Sequence, residues 1–276
     1  MGRVWLPMHT DARPRPCHLG AGMALRLMAH RSVHCIHMLQ ADRPERVPPA
    51  YGTCRGPFIS SISMNDTGTT ELAPAWELFE QHDLPGAIAY AQPYLESERA
   101  ELRQDAARLL GLALFDAGEY AAAMGFMTRI AEHCDAALDW FNLATAATMA
   151  GEVDQGEEAM ERAVLARERS GDDGTPGVPS MRLYYAHALA DVEEYGRALD
   201  QLNLLRDLYA GAGSSDAAVL ELHGLPPLAS FILPVLKVFA GLGDEYDGAG
   251  WLESFAAMLD ENGRALIADV RARLGE

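Results

Sequence analysis

Residues 105–131, DAARLLGLALFDAGEYAAAMGFMTRIA, decide the fold. Apolar residues recur at helical spacing on both sides of a break, so the stretch reads as two apolar-faced helices joined by the turn Asp116-Ala117-Gly118-Glu119. The layout then repeats. Leu110-Gly111, Leu114, the turn Gly118-Glu119-Tyr120, Ala123 and Met127 are followed by Trp140, Leu143-Ala144, Ala147, the turn Gly151-Glu152-Val153, Gly156 and Met160. A third unit offers Tyr185-Ala186, Leu189, Glu193-Glu194-Tyr195, Ala198 and Leu202, and a looser one Leu233, Leu236, Ala240, Asp244-Glu245-Tyr246 and Ala249. Gly118 and Gly151 are 33 residues apart. Small residues at two of these places let paired helices approach closely, and the bulky ones fill the space between pairs.

Working outward, Pro74, Trp76, Leu78 and Phe79, then Leu84, Ala87, Ile88, Ala91 and Leu95, mark a degenerate first pair. Pro93 predicts a bend or an early end of its second helix. The turn-rich stretch 170–179, SGDDGTPGVP, is expected to be exposed and mobile, and 210–216 reads as a second linker. Lys237 stands where the last unit should carry a small residue, Pro234 is expected to interrupt that unit's first helix, and Trp251 replaces part of the usual packing. Asn262 is expected to cap a closing helix over 263–274 with Leu266, Ile267, Val270 and Leu274 on one face.

This pattern resembles the tetratricopeptide repeat, a 34-residue helix-turn-helix unit. The resemblance covers roughly residues 72–274 and is best between 105 and 209. The closing Pro of the family is missing, and Leu114, Ala147 and Leu189 replace the aromatic that ends the first helix's pattern. The resemblance implies an all-α, right-handed α-solenoid of about five helix pairs with a C-terminal closing helix. It further implies a concave groove, lined by the first helix of each pair, that takes an extended peptide or a partner helix.

Composition bounds the alternatives. The 276 residues carry a formal charge of -18, and Lys237 is the only lysine. Sequence-independent nucleic-acid binding requires a positive field, which this chain lacks. The charge is split: residues 1–63 hold eight Arg against three acids, whereas the remainder holds 14 basic against 37 acidic residues. That shift leads us to expect the biological start at Met64, with the upstream residues derived from an over-extended reading frame; a disordered basic tail and an organellar targeting segment are the alternatives. Cys17, Cys35 and Cys54 lie in the upstream part and Cys134 in the repeats, a usage that fits a reducing cytoplasm without a disulfide framework. No apolar run reaches the roughly 18 residues of a membrane span. The arginine-over-lysine bias points to a GC-rich bacterial source.

If the groove forms, its candidates are Arg108, Leu112 and Phe115 from the first good unit, then Phe141, Asn142, Thr145 and Met149, then Leu183, Tyr184, His187 and Asp191. Aromatics and a Met with few charges favour an apolar or amphipathic protein ligand. The carboxylate clamp of some family members is matched only by Arg108 and Asn142, since Leu112, Ser180 and Tyr184 occupy its other positions. Trp140 and Tyr195 are expected in the packing between helices, and Glu157-Glu158 and Asp172-Asp173 in solvent. Cys17-His18 and His34-Cys35-Ile36-His37 lack zinc-module spacing, and Asp244-Glu245-Tyr246-Asp247-Gly248 lacks the ligands of a calcium loop. His133-Cys134-Asp135 places a nucleophile and a base on adjacent residues that point apart. No metal, cofactor or catalytic site is therefore expected, and the function expected is that of a cytoplasmic scaffold or adaptor. A chaperone or immunity-type factor masking a secreted or toxic partner is the alternative, as is a self-assembling component.

Overall fold

The computed structural model describes residues 70–170 and 176–274. Residues 1–69, with the upstream Cys and His pairs and the Met64 leader, lie outside the described residues, as do 171–175 of the turn-rich insertion and the side chains of Arg273 and Leu274. The described chain is all-helical, without a strand. Its helices are α1 (Ala73–Glu80), α2 (Leu84–Ala91), a 3-10 turn (Gln92–Glu96), α3 (Ala100–Asp116), α4 (Tyr120–Cys134), α5 (Ala137–Met149), α6 (Val153–Ser170), α7 (Val178–Asp191), α8 (Tyr195–Ala212), α9 (Ala217–Leu222), α10 (Leu228–Leu242), α11 (Gly248–Ala256) and α12 (Glu261–Leu274). As Pro93 predicts, α2 stops at Ala91 and gives way to the 3-10 turn.

Helices α1–α2, α3–α4, α5–α6 and α7–α8 are each joined by three residues, and all four turns share one geometry. The amides of Asp83, Glu119, Glu152 and Glu194 bond the carbonyls five residues back, those of Leu78, Leu114, Ala147 and Leu189, at 2.8–2.9 Å. This is the 6→1 bond of a Schellman stop, which needs a left-handed residue just before it. His82 (φ 61°), Gly118 (φ 84°), Gly151 (φ 90°) and Glu193 (φ 66°) fill that place. Two of the four thus hold a Cβ where glycine is favoured. Glu193 is exposed, so Glu193→Gly is expected to stabilise the protein by roughly 0.5–1 kcal/mol, the relief of left-handed strain less the entropy of a freer unfolded chain. A urea midpoint at or below that of the wild type would refute this account of the turn.

One continuous apolar core runs from Leu72 to Val270; α1 to α8 pack mainly on their neighbours in sequence, whereas α10 packs on α8 and α7. At its centre α5 is buried from Ala137 through Thr148, on all sides, between α4, α6 and α7. Trp140 is in this core, its Nε1 donating to Asp135 Oδ1 at 2.8 Å and its ring covered by Arg162. Tyr195 lies over Gly241 of α10 so closely that a Cβ there would sit 2.3 Å from the ring. Glu157 is not simply solvated: with Asp154 and Glu194 it surrounds Arg197, tying α6 to α8 at 2.7–3.6 Å. Arg169 of α6 likewise reaches Asp135 at 2.8 Å.

Two expectations about the last unit need correction. Helix α10 runs through Pro234 without interruption, since its neighbours Phe231, Ile232, Val235, Val238 and Phe239 are buried with it. Burial of five such side chains, at about 1.5–3 kcal/mol each, outweighs the roughly 3 kcal/mol of an interior proline. The cap of α12 is Asp260 rather than Asn262: Asp260 Oδ1 accepts from the Gly263 amide at 2.8 Å, and the same carboxylate accepts from Ser215 N and from the Ser214 and Ser215 hydroxyls. Backbone bonds from Ser215 and Gly263 above all hold its pKa down at about 2. The linker at 213–216 is thereby fastened to the closing helix. Trp251 enters an aromatic cluster with Phe231, Phe239 and Phe255, and donates to Asn203 Oδ1 at 2.8 Å.

Candidate functional site

The candidate groove residues separate into buried and accessible sets. Arg108 and Leu112 of α3, Phe141, Asn142 and Thr145 of α5, and Leu183 of α7 are all buried, Phe141 to 1% exposure and Thr145 to 2%. The expectation that these side chains floor an open groove is corrected accordingly. Their reason for burial is local. Helix α5 carries Asp139 as its one charged residue and has apolar side chains on every side, so it is enclosed rather than displayed on one face. Thr145 satisfies its hydroxyl within the helix, donating to the carbonyls of Asn142 at 2.9 Å and Phe141 at 3.2 Å.

Arg108 has a role that its residue type did not disclose. Its Nε and Nη2 donate to Asp139 Oδ1 and Oδ2, both at 2.9 Å, in a two-pronged pair that links α3 to α5. Nη2 also approaches Cys134 Sγ at 3.7 Å, and Nη1 lies 3.9 Å from Asp105 Oδ1. Burial opposes the charged guanidinium, but the hydrogen bonds and charge of Asp139, with smaller contributions from Cys134 and Asp105, more than offset it and hold its pKa above the ordinary arginine value. Arg108 is therefore neutralised from within and is not free to grip a ligand carboxylate. Asp139 and Asp105 are charge partners of Arg108 that the sequence pattern did not single out. The i, i+3 spacing of Asp105 and Arg108 on α3 and the lone charge in α5 were the available signals.

Arg108, Leu112 and Asn142 do come together. With Met127, Ile130 and Asp139 they line a cavity of about 10 Å³, near the lower limit for one water molecule. The accessible candidates lie elsewhere. Phe115 is half-buried at the carboxyl end of α3, edge-on to Tyr120 at 5.3 Å, and Met149 is half-buried at the end of α5. Tyr184 and His187 are half-buried on α7, and Asp191 at its end is ion-paired with Lys237 of α10. Lys237, out of place as a small residue, is thus used to join α10 to α7. Burial pushes the Tyr184 hydroxyl up and the His187 imidazole down; for His187, Asp191 opposes that shift and Lys237 adds to it. The accessible set therefore offers an aromatic ring, a thioether, a neutral phenol and an imidazole biased to its neutral form.

Among the described residues, no group of three or more His, Cys, Asp and Glu side chains is placed to hold a metal ion, and no helix is long and apolar enough to cross a membrane. Compared with protein-family models, curated proteins and solved structures, the chain matches none of them.

Proposed function

We propose that this chain is a tetratricopeptide-like, right-handed solenoid that serves as a cytoplasmic protein-interaction scaffold. The observation that carries the proposal is the fourfold return of one helix-stop geometry, at His82, Gly118, Gly151 and Glu193, between helices that contact mainly their sequence neighbours. Such repetition yields extended surface without an enclosed reaction chamber. The enclosure of α5 moves the capture surface away from the buried floor. Phe115, Met149, Tyr184 and His187 are the candidates that keep access to solvent, and their chemistry suits an apolar or amphipathic peptide or helix with a polar group near His187.

The test is capture of partners by residues 64–276 from the native host, compared with a variant carrying Tyr184→Ala and His187→Ala. Truncating two contact side chains at about 1–2 kcal/mol each lowers recovery at least tenfold, while the circular dichroism spectrum is unchanged. Equal recovery by a folded variant would remove α7 from the capture surface.

A further inference from the structure

Three charged groups are buried together where α3 meets α5: Asp105 at 7% exposure, Arg108 at 8% and Asp139 at 5%. They hold two carboxyl groups and one guanidinium. Asp139 takes that guanidinium in the better geometry, with both oxygens at 2.9 Å, and leaves Asp105 a single approach at 3.9 Å. The other oxygen of Asp105, Oδ2, is fully enclosed and has no hydrogen-bond partner. An ionised carboxylate in that position would carry a second negative charge into the core with one side entirely unsolvated, an arrangement that costs several kcal/mol. A neutral carboxyl removes most of that cost and makes the charge count one against one.

We infer that Asp105 carries a proton in the folded protein and acts as a proton-dependent latch: protonated, it leaves Arg108 wholly to Asp139, and ionised, it competes with Asp139 for the same guanidinium and loosens the α3–α5 junction. The groups acting on this cluster are Arg108 on α3 itself, Asp139 from α5 and Cys134 at the end of α4. Burial raises the carboxyl pKa of Asp105, and Arg108 only partly opposes the shift. The direction of the linkage follows. In the unfolded chain Asp105 ionises near pH 3.9, whereas in the folded chain it does so at higher pH, so folding loses stability as pH rises from about 3.9 through the folded value and remains lower above it.

The experiment is a pair of melting curves against pH for the wild type and Asp105→Asn, which keeps the shape of the neutral carboxyl. The two melt together below pH 3.9; above it the variant gains, reaching an excess on the order of 3 °C at pH 8. A variant that melts below the wild type at pH 8 would show that an ionised Asp105 supports the fold and would overturn the latch. A titration of side-chain carboxyl carbon shifts in the wild type, with the Asp105 signal assigned by its loss in Asp105→Asn, gives an independent answer. A midpoint above the ordinary aspartate value of about 3.9 supports the latch, and one at or below it overturns it.

Discussion

Asp139→Ala lowers the stability of the protein by roughly 3–4 kcal/mol in urea denaturation, one of the two largest losses expected for a single side chain here. The substitution leaves the Arg108 guanidinium at 8% exposure without the two hydrogen bonds at 2.9 Å that hold it. An unpaired buried charge of this kind ordinarily costs about 3–5 kcal/mol. The lower part of that range applies because Asp105 lies within 3.9 Å of Arg108 and can ionise to replace the missing carboxylate. Two further variants separate the parts. Asp105→Asn combined with Asp139→Ala removes the substitute and restores the full penalty. Arg108→Met combined with Asp139→Leu removes both charges, exchanges them for apolar volume beside Leu112, Met127 and Ile130, and is expected to be more stable than Asp139→Ala alone. If the single and the double apolar variants unfolded at the same urea concentration, the loss would be one of packing and not of charge.

Much of the helical order was legible because turns and close approaches impose strict demands on residue type. Gly118 and Gly151 announce left-handed positions, and the units between 105 and 209 appear as α3 to α8 with their turns in place. The outer units were less legible. Pro234 signals a break by its local geometry, but the burial of its neighbours outweighs that local cost. Asn262 and Asp260 are both capping types two residues apart, and the choice between them is made by Ser214 and Ser215, more than forty residues away in the chain.

The site was legible only in part, for a related reason. Assigning Phe141, Asn142 and Thr145 to a groove assumes that a first helix keeps one face open. In α5 the one charge, Asp139, is neutralised by Arg108 from another helix pair, and the Thr145 hydroxyl is satisfied within the helix, so the face can be buried. Helical periodicity reports which residues share a face. It does not report whether a second layer closes over that face, nor that an arginine in one unit will be consumed by an aspartate 31 residues later.

Gly156→Ala is the other large loss, about 2–4 kcal/mol, and it shows why a small residue stands where α6 crosses α5. A Cβ at Gly156 would lie 2.2 Å from Thr148 Oγ1 and 3.0 Å from both the Ala144 carbonyl oxygen and Tyr185 Oη. Thr148 and Tyr185 are fully buried, and the Thr148 hydroxyl donates to Tyr185 Oη at 3.2 Å. The methyl group therefore has to displace Thr148 and break that bond, leaving a buried hydroxyl unsatisfied, while the Ala144 carbonyl, as backbone, has little room to retreat. Burial already pushes the Tyr185 hydroxyl up to about 12, so it cannot escape the loss by ionising. Gly125→Ala is the matched control. It adds the same methyl in the middle of α4 where nothing lies within 4 Å, and is expected to stabilise by about 1 kcal/mol through helix propensity alone. Adding Thr148→Ala and Tyr185→Phe to Gly156→Ala removes the oxygen at 2.2 Å and the orphaned hydroxyl together, so the triple variant recovers part of the loss while the contact with the Ala144 carbonyl keeps it below wild type. Urea midpoints in the order Gly125→Ala, wild type, triple variant, Gly156→Ala, from highest to lowest, would establish that the α5–α6 approach is set by this contact, and any inversion between the last two would exclude Thr148 and Tyr185 as its cause.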